Sequence, residues 1–365
     1  MTSIAKLRAE YQRVVGEAQH SMLRQPSRTL KQHLQALADF ATDTTESDVY
    51  GSGELIESLE QDMATLFGKE AACFMPSGTM AQNIALKIYA TQKDKPAFAC
   101  HPTSHLVLHE QAAFEHLWGL EAELIGEAYA PIELADIKTL DPARIAAVVT
   151  ELPAREIGGQ LPPWEDLVKQ SRWLKEQGIA FHIDGARLWH CKAAYGKSFA
   201  EIGELADSLY LSFYKDLAGI SGAVLLGTQA FIDKAKVWQR RAGGNLFSLH
   251  PYILSAKLGL EENLDSVDDA VHYAKELAQA LNTVPNVEVL PAVPQAAMFH
   301  LIVDADEPEL MAKMVEQLEA SHVQVLPLPR EKKNGSLIFE IPVGRAAMSK
   351  PVKFWHQHLA QLLQS

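Results

Sequence analysis

Apolar and polar positions along this chain follow more than one period, and the changes of period divide it. Near the start, Leu7, Tyr11, Val14 and Val15 recur at helical spacing. Leu30, Leu34 and Leu37 resume that spacing after a break at Pro26, so residues 1–40 read as helix. From about 45 to 230, short β-branched or aromatic runs alternate with amphipathic helices. The runs are Ala71–Met75, Pro96–Cys100, Ile145–Thr150, Ile179–Asp184, Ser208–Phe213 and Ala223–Leu226; Glu54–Leu66 and Trp164–Glu176 are helical patterns between them. That alternation predicts an α/β domain with a mainly parallel sheet covered by helices on both faces. Helical spacing from Pro251 to Leu281 then gives way to strand patterns at Val287–Leu290, Ala297–Val303, Val323–Leu326 and Ser336–Ile341. Helices at Glu307–Ala320 and Pro351–Leu363 intervene, which predicts a small α+β domain. The expected division is 1–44, an N-terminal helical segment; 45–250, a large ligand-binding domain; and 251–365, the small domain.

Two of the runs end on chemistry. His-Ile-Asp-Gly-Ala-Arg (182–187) closes on Asp184, and Tyr-Leu-Ser-Phe-Tyr-Lys-Asp (210–216) carries Lys215 just beyond its strand. In open parallel sheets, ligands sit at the carboxyl ends of the strands, where both residues fall. A lysine and an aspartate so presented are the minimum apparatus for pyridoxal phosphate. The amine condenses with the cofactor aldehyde, and the carboxylate keeps the pyridine nitrogen protonated.

The segments upstream strengthen that reading. Phe-Met-Pro-Ser-Gly-Thr-Met-Ala-Gln-Asn (74–83) passes from an apolar strand into a helical pattern reaching about Tyr89. Ser77, Gly78 and Thr79 thus fall at a helix N-terminus, where free N–H groups suit a phosphate and glycine permits its close approach. An ordinary Ser/Thr cap would look the same. In His-Pro-Thr-Ser-His-Leu-Val-Leu-His-Glu (101–110), His105 follows a strand and could stack on the pyridine ring and move protons. His105 and His109 stand four apart, but no third ligand accompanies them and no metal is expected; His109 and Glu110 read as supporting residues.

In this order and spacing the segments resemble the threonine aldolase/aromatic amino acid β-eliminating lyase family of fold-type-I pyridoxal phosphate enzymes. The resemblance rests on Asp48-Val-Tyr-Gly51, Leu66 to Ala72, Pro76 to Ala81, Ser104-His105 with Glu110, His182 to Arg187, and Ser212 to Lys215. It implies a seven-stranded type of sheet and Lys215 as the covalent anchor. Asp184 falls on the pyridine nitrogen, His105 on the ring, and Gly78 and Thr79 at the phosphate. Arg187 falls near the cofactor hydroxyl and the substrate carboxylate, and Tyr50 near the substrate, within reach of a neighbouring subunit's site. A homodimer or homotetramer with sites near the interface is the expected assembly.

The chain departs from the family in the substrate half. Where members carry Glu-Asn-Thr-His-Asn, it reads Glu151-Leu-Pro-Ala-Arg-Glu-Ile-Gly-Gly159, without histidine. Phe247 stands about where an arginine is usual, and Leu337 to Val343 lacks the arginine that grips the substrate carboxylate. A carboxylate still needs a cation, so Arg187, Arg155 and Arg345 are the candidates. Phe247, Trp189 and Phe213 could line an aromatic pocket, but aromatics in such patterns are ordinarily core, and the core is where they are expected. The expected activity is cleavage of the Cα–Cβ bond of a β-hydroxy-α-amino acid to glycine and an aldehyde. The alternatives are β-elimination, racemisation or transamination on the same scaffold, and a non-catalytic pyridoxal phosphate-binding protein.

Composition narrows the partners. At 365 residues, 47% hydrophobic, the chain can bury a large core, and a net charge of −13 argues against nucleic acid. No apolar run is long enough for a membrane span. Glu10 and Glu17 stand where a signal peptide would be apolar, which makes the cytoplasm the expected location. Cys73, Cys100 and Cys191 lie in apolar contexts without a Cys-x-x-Cys pair and read as buried thiols of a reducing compartment.

Overall fold

The computed structural model describes residues 3–333 and 335–364. The chain forms two compact units. The larger comprises 28–156 and 160–264, and the smaller 1–27, 157–159 and 265–365.

The larger unit is built on seven strands: β1 (Ala71–Met75), β2 (Ala97–Cys100), β3 (Glu121–Leu124), β4 (Ile145–Glu151), β5 (Ala180–Gly185), β6 (Ser208–Ser212) and β7 (Ala223–Gly227). Their order across the sheet is β1-β7-β6-β5-β4-β2-β3, and β7 alone runs antiparallel to its neighbours. The central strands are buried along both faces, which is why they read as continuous apolar runs rather than alternating ones. On one face, Ile84, Ala85 and Ile88 of the helix Gly78–Lys93 belong to the same core as Phe98, Cys100, Val149, Tyr210 and Leu225. A separate aromatic group is formed by Phe67, Trp189, Phe199, Phe213 and Phe74, with ring centroids 5.0–6.3 Å apart. Trp189 and Phe213 are therefore core residues, as expected. Phe247 is not: it is 67% exposed.

The expected breaks at 44/45 and 250/251 fall inside this unit. Leu30–Phe40 and His250–Asn263 pack against one another, so hydrophobic burial ties both helices to the sheet domain. The expected helical segment 1–40, broken at Pro26, is interrupted earlier as well. Ser3–Val14 ends in a 3-10 turn, and His20–Ser21 pairs in parallel with Val323–Gln324 in the smaller unit.

In the smaller unit, Val287–Leu290, Met298–Val303, Ser336–Pro342 and Glu331–Lys333 form an antiparallel sheet. The helices Ser266–Leu281, Glu307–Ser321 and Val352–Gln364 contribute its buried faces. Gly159 has φ +76°, and a Cβ there would meet the Met298 side chain at 2.7 Å, so the short 157–159 segment needs its glycine.

Candidate active site

The parallel register of β4 and β5 places Glu151 directly opposite Asp184, and that of β5 and β6 places Tyr210 opposite Asp184. Side chains at matched positions share a face, so three polar groups meet near the carboxyl ends of neighbouring strands. Asp184 is 1% exposed. Its Oδ1 accepts from the Ala186 N–H at 3.0 Å, but Oδ2 is buried without a partner. A buried polar atom left unpaired costs about 1–3 kcal/mol, so its retention calls for an explanation. Burial raises the carboxyl's pKa, and the nearby charges of Lys215 and His105 oppose that rise.

Lys215 follows β6 in a turn braced by a buried His190, whose Nε2 lies 3.3 Å from Asp216 Oδ1. Burial brings the lysine amine down to about 8, and the Arg187 guanidinium pushes the same way against the pull of Asp184, Glu151 and Asp216. A fraction of the amine is thus neutral, and nucleophilic, near neutral pH. Arg187 is itself 5% exposed, in the bend just after β5.

Ser77 caps the helix Gly78–Lys93, its Oγ accepting from the Met80 N–H at 3.3 Å, as the sequence pattern predicts. Ser77 and Thr79 line a cleft of about 650 Å³ together with Met80, Lys87, Trp118, Trp238 and Arg241. Gly78 meets a further steric demand within the protein itself. A Cβ there would lie 2.0 Å from the Tyr210 hydroxyl oxygen, so the glycine makes room for a phenol.

His105 begins a short turn after β2. Its Nδ1 is 3.1 Å from Glu110 Oε1, while Glu110 Oε2 accepts from Asn83 Nδ2 at 2.8 Å. The same amide nitrogen donates to the Thr79 carbonyl at 2.8 Å. Glu110 thereby links the imidazole to the first turn of the Gly78–Lys93 helix, the supporting part the sequence suggested. His109 instead faces Glu156 at 2.9 Å. Among the described residues no group of His, Cys, Asp and Glu could hold a metal ion.

The remaining candidates are more scattered. Ser212 is fully buried at the end of β6. Tyr50 is 53% exposed at φ +49°; its N–H donates to the Phe247 carbonyl at 2.9 Å and the two rings meet edge to face at 5.4 Å. Arg155 donates its N–H to Glu151 Oε1 at 3.2 Å and pairs with Glu156 at 3.3 Å. Arg345 opens a short helix of the smaller unit, its N–H donating to Gln25 Oε1 at 3.2 Å.

Sequence reasoning missed Glu151 as a member of this cluster. Burial, reinforced by the Asp184 carboxylate, pushes it up to about 7 against Arg187, Lys215 and the Arg155 N–H. The signal was present: like Asp184, Glu151 is a carboxylate that ends an apolar strand run.

These residues fit pyridoxal phosphate. The unpartnered Asp184 oxygen suits a pyridine N–H, and the lowered amine suits the aldehyde. The capped helix start suits the phosphate.

Comparison with known proteins decides the lineage. The family model described as beta-eliminating lyase matches residues 34–304. The chain belongs to that family. Its members are pyridoxal phosphate enzymes of the lyase class, and the fold-type-I expectation is met. A Listeria monocytogenes structure provisionally assigned as an L-allo-threonine aldolase is 38% identical, with a TM-score of 0.92 over 98% of this chain and 99% of that one. An Exiguobacterium structure provisionally assigned as an aromatic amino acid beta-eliminating lyase/threonine aldolase is also 38% identical. Its TM-score is 0.91 over the same shares. The low specificity L-threonine aldolase of Escherichia coli K12 is 26% identical over 323 residues, 86% of this chain and 92% of that protein. No helix among the described residues is long and apolar enough to cross a membrane.

Proposed function

We propose that this chain is a pyridoxal phosphate-dependent lyase that cleaves the Cα–Cβ bond of β-hydroxy-α-amino acids, releasing glycine and an aldehyde. The observation that carries the reading is Asp184 Oδ2, buried and unpartnered, on the strand beside the one that leads to Lys215. The similarity to proteins named as threonine aldolases supports the choice of reaction.

Lys215 would hold the cofactor covalently, Asp184 would meet its pyridine nitrogen, and His105 would lie on its ring. Ser77, Gly78, Thr79 and Ser212 would hold its phosphate. Bound there, the cofactor supplies the electron sink for a bond broken at the substrate α-carbon. His105 faces Glu110 through Nδ1, leaving Nε2, directly or through a water, to take the β-hydroxyl proton. Arg187 takes the substrate carboxylate and so fixes which α-bond is broken. Arg155 and Arg345 are the alternatives, distinguished by whose alanine variant raises KM. Tyr50 serves the site of a second copy in a homodimer or homotetramer, a role its exposure permits. The cytoplasm is the proposed location.

The family description favours one competing reaction, β-elimination. Aldehyde release from phenylserine, threonine and allo-threonine tests the aldol reading. If none releases aldehyde while a β-substituted alanine yields pyruvate, elimination replaces it.

A further inference from the structure

The groups assigned above do not include the buried hydroxyl of Tyr210. Tyr210 lies in the middle of β6, 2% exposed, as the lateral partner of Asp184. Its ring rises from the sheet to the start of the helix Gly78–Lys93. A Cβ built on Gly78 would stand 2.0 Å from the phenol oxygen and 2.2 Å from the ring carbon that bears it. The phenol therefore occupies the space a side chain at position 78 would take, against the N-terminal end of the helix, whose first N–H groups have no carbonyl partner a turn earlier within it.

Two further hydroxyls adjoin it, those of Ser212 and Tyr214. Ser212 Oγ is buried and, among the described residues, has no hydrogen-bonding neighbour other than the Tyr210 phenol. Hydroxyls gathered at the positive end of a 16-residue helix, with buried hydrogen-bonding capacity to spare, suit an anion that accepts. Burial, with Tyr214 and Asp184 nearby, pushes the Tyr210 phenol well above its ordinary range. It therefore stays a neutral O–H donor at physiological pH. Sequence reading passed over Tyr210 because an aromatic inside a strand run is ordinarily core.

We propose that Tyr210 is a ligand of the cofactor phosphate, its O–H donating to the anion at the start of the Gly78–Lys93 helix, and that its ring is the reason position 78 is glycine. The inference rests on pyridoxal phosphate being the occupant of the cradle.

Tyr210→Phe keeps the ring and deletes the donor. Cofactor dissociation constants are measured by absorbance for pyridoxal phosphate and for pyridoxal, which lacks the phosphate. The expected result is an affinity loss of about tenfold for pyridoxal phosphate, the scale of one hydrogen bond to a charged group, with pyridoxal unaffected. The phosphorus resonance of the bound cofactor should shift in the same variant. Equal weakening of both ligands would mean packing alone and would overturn the proposal, as would no change in either.

The steric part has its own test. Gly78→Ala should lose cofactor, and Gly78→Ala combined with Tyr210→Ala should regain part of it. The combination with Tyr210→Phe should not, because the ring carbon remains in the way. Rescue by phenylalanine overturns the steric claim. Wild-type protein that takes up no pyridoxal phosphate at all would instead overturn the functional reading, which separates the two failures.

Discussion

The larger unit buries two aspartates almost completely, and they are treated in opposite ways. Asp48, 0% exposed, joins two loops: its Oδ1 accepts from Ser248 Oγ at 2.9 Å, and both oxygens accept from the Leu249 N–H at 2.8 and 3.0 Å. Asp184, 1% exposed, has one donor for one oxygen and none for the other. The first carboxylate is fully occupied in holding the 45–53 and 244–250 loops together. The second keeps half its capacity in reserve at a strand end. Depth of burial does not tell a structural acid from a ligand-binding one, whereas the tally of its donors does.

The sharpest test of that contrast is a pair of substitutions. Asp184→Asn should lower turnover roughly a hundred- to a thousandfold, because the pyridine nitrogen would no longer be held protonated, while apoprotein Tm holds or rises. Asp48→Ala should do the reverse. It leaves the Leu249 N–H and Ser248 hydroxyl unsatisfied and should destabilise by about 3 kcal/mol in denaturant titration. Equal loss of stability in both variants would erase the distinction.

A smaller effect concerns Lys215. Only the neutral amine attacks an aldehyde, and its folded pKa lies at about 8, below the ordinary 10.5. The rate at which apoprotein captures pyridoxal phosphate should therefore rise with pH through a midpoint near 8, followed by stopped-flow absorbance. A midpoint above 10 would mean that burial and Arg187 do not govern the amine.

Much of the cradle was legible because its residues interrupt strong patterns. Asp184 and Lys215 stand at the ends of runs that are otherwise apolar, and Ser77 precedes a helical period. Glu151 has the same grammar, but it was absorbed into a segment noted for a missing histidine. Two of the edge strands were illegible for the opposite reason, unlike the apolar edges Ala71–Met75 and Val287–Leu290. Glu121–Leu124 and Glu331–Lys333 are rich in charge, as unpaired sheet edges tend to be, and offer no apolar run. Phe247 was expected inside because aromatics usually are; its loop is fixed by Asp48 at Ser248 and Leu249, which leaves the neighbouring ring outside. Leu30–Phe40 and His250–Asn263 share the larger unit because their packing is a long-range fact that no local period encodes.

The Asn83 amide bonds the Thr79 carbonyl with one hand and Glu110 with the other, and Glu110 in turn grips His105. An engineer who shifts the opening turn of that helix to suit a new ligand will tilt the imidazole as well. Redesign at either place has to sample positions 79, 83, 105 and 110 as one joint library.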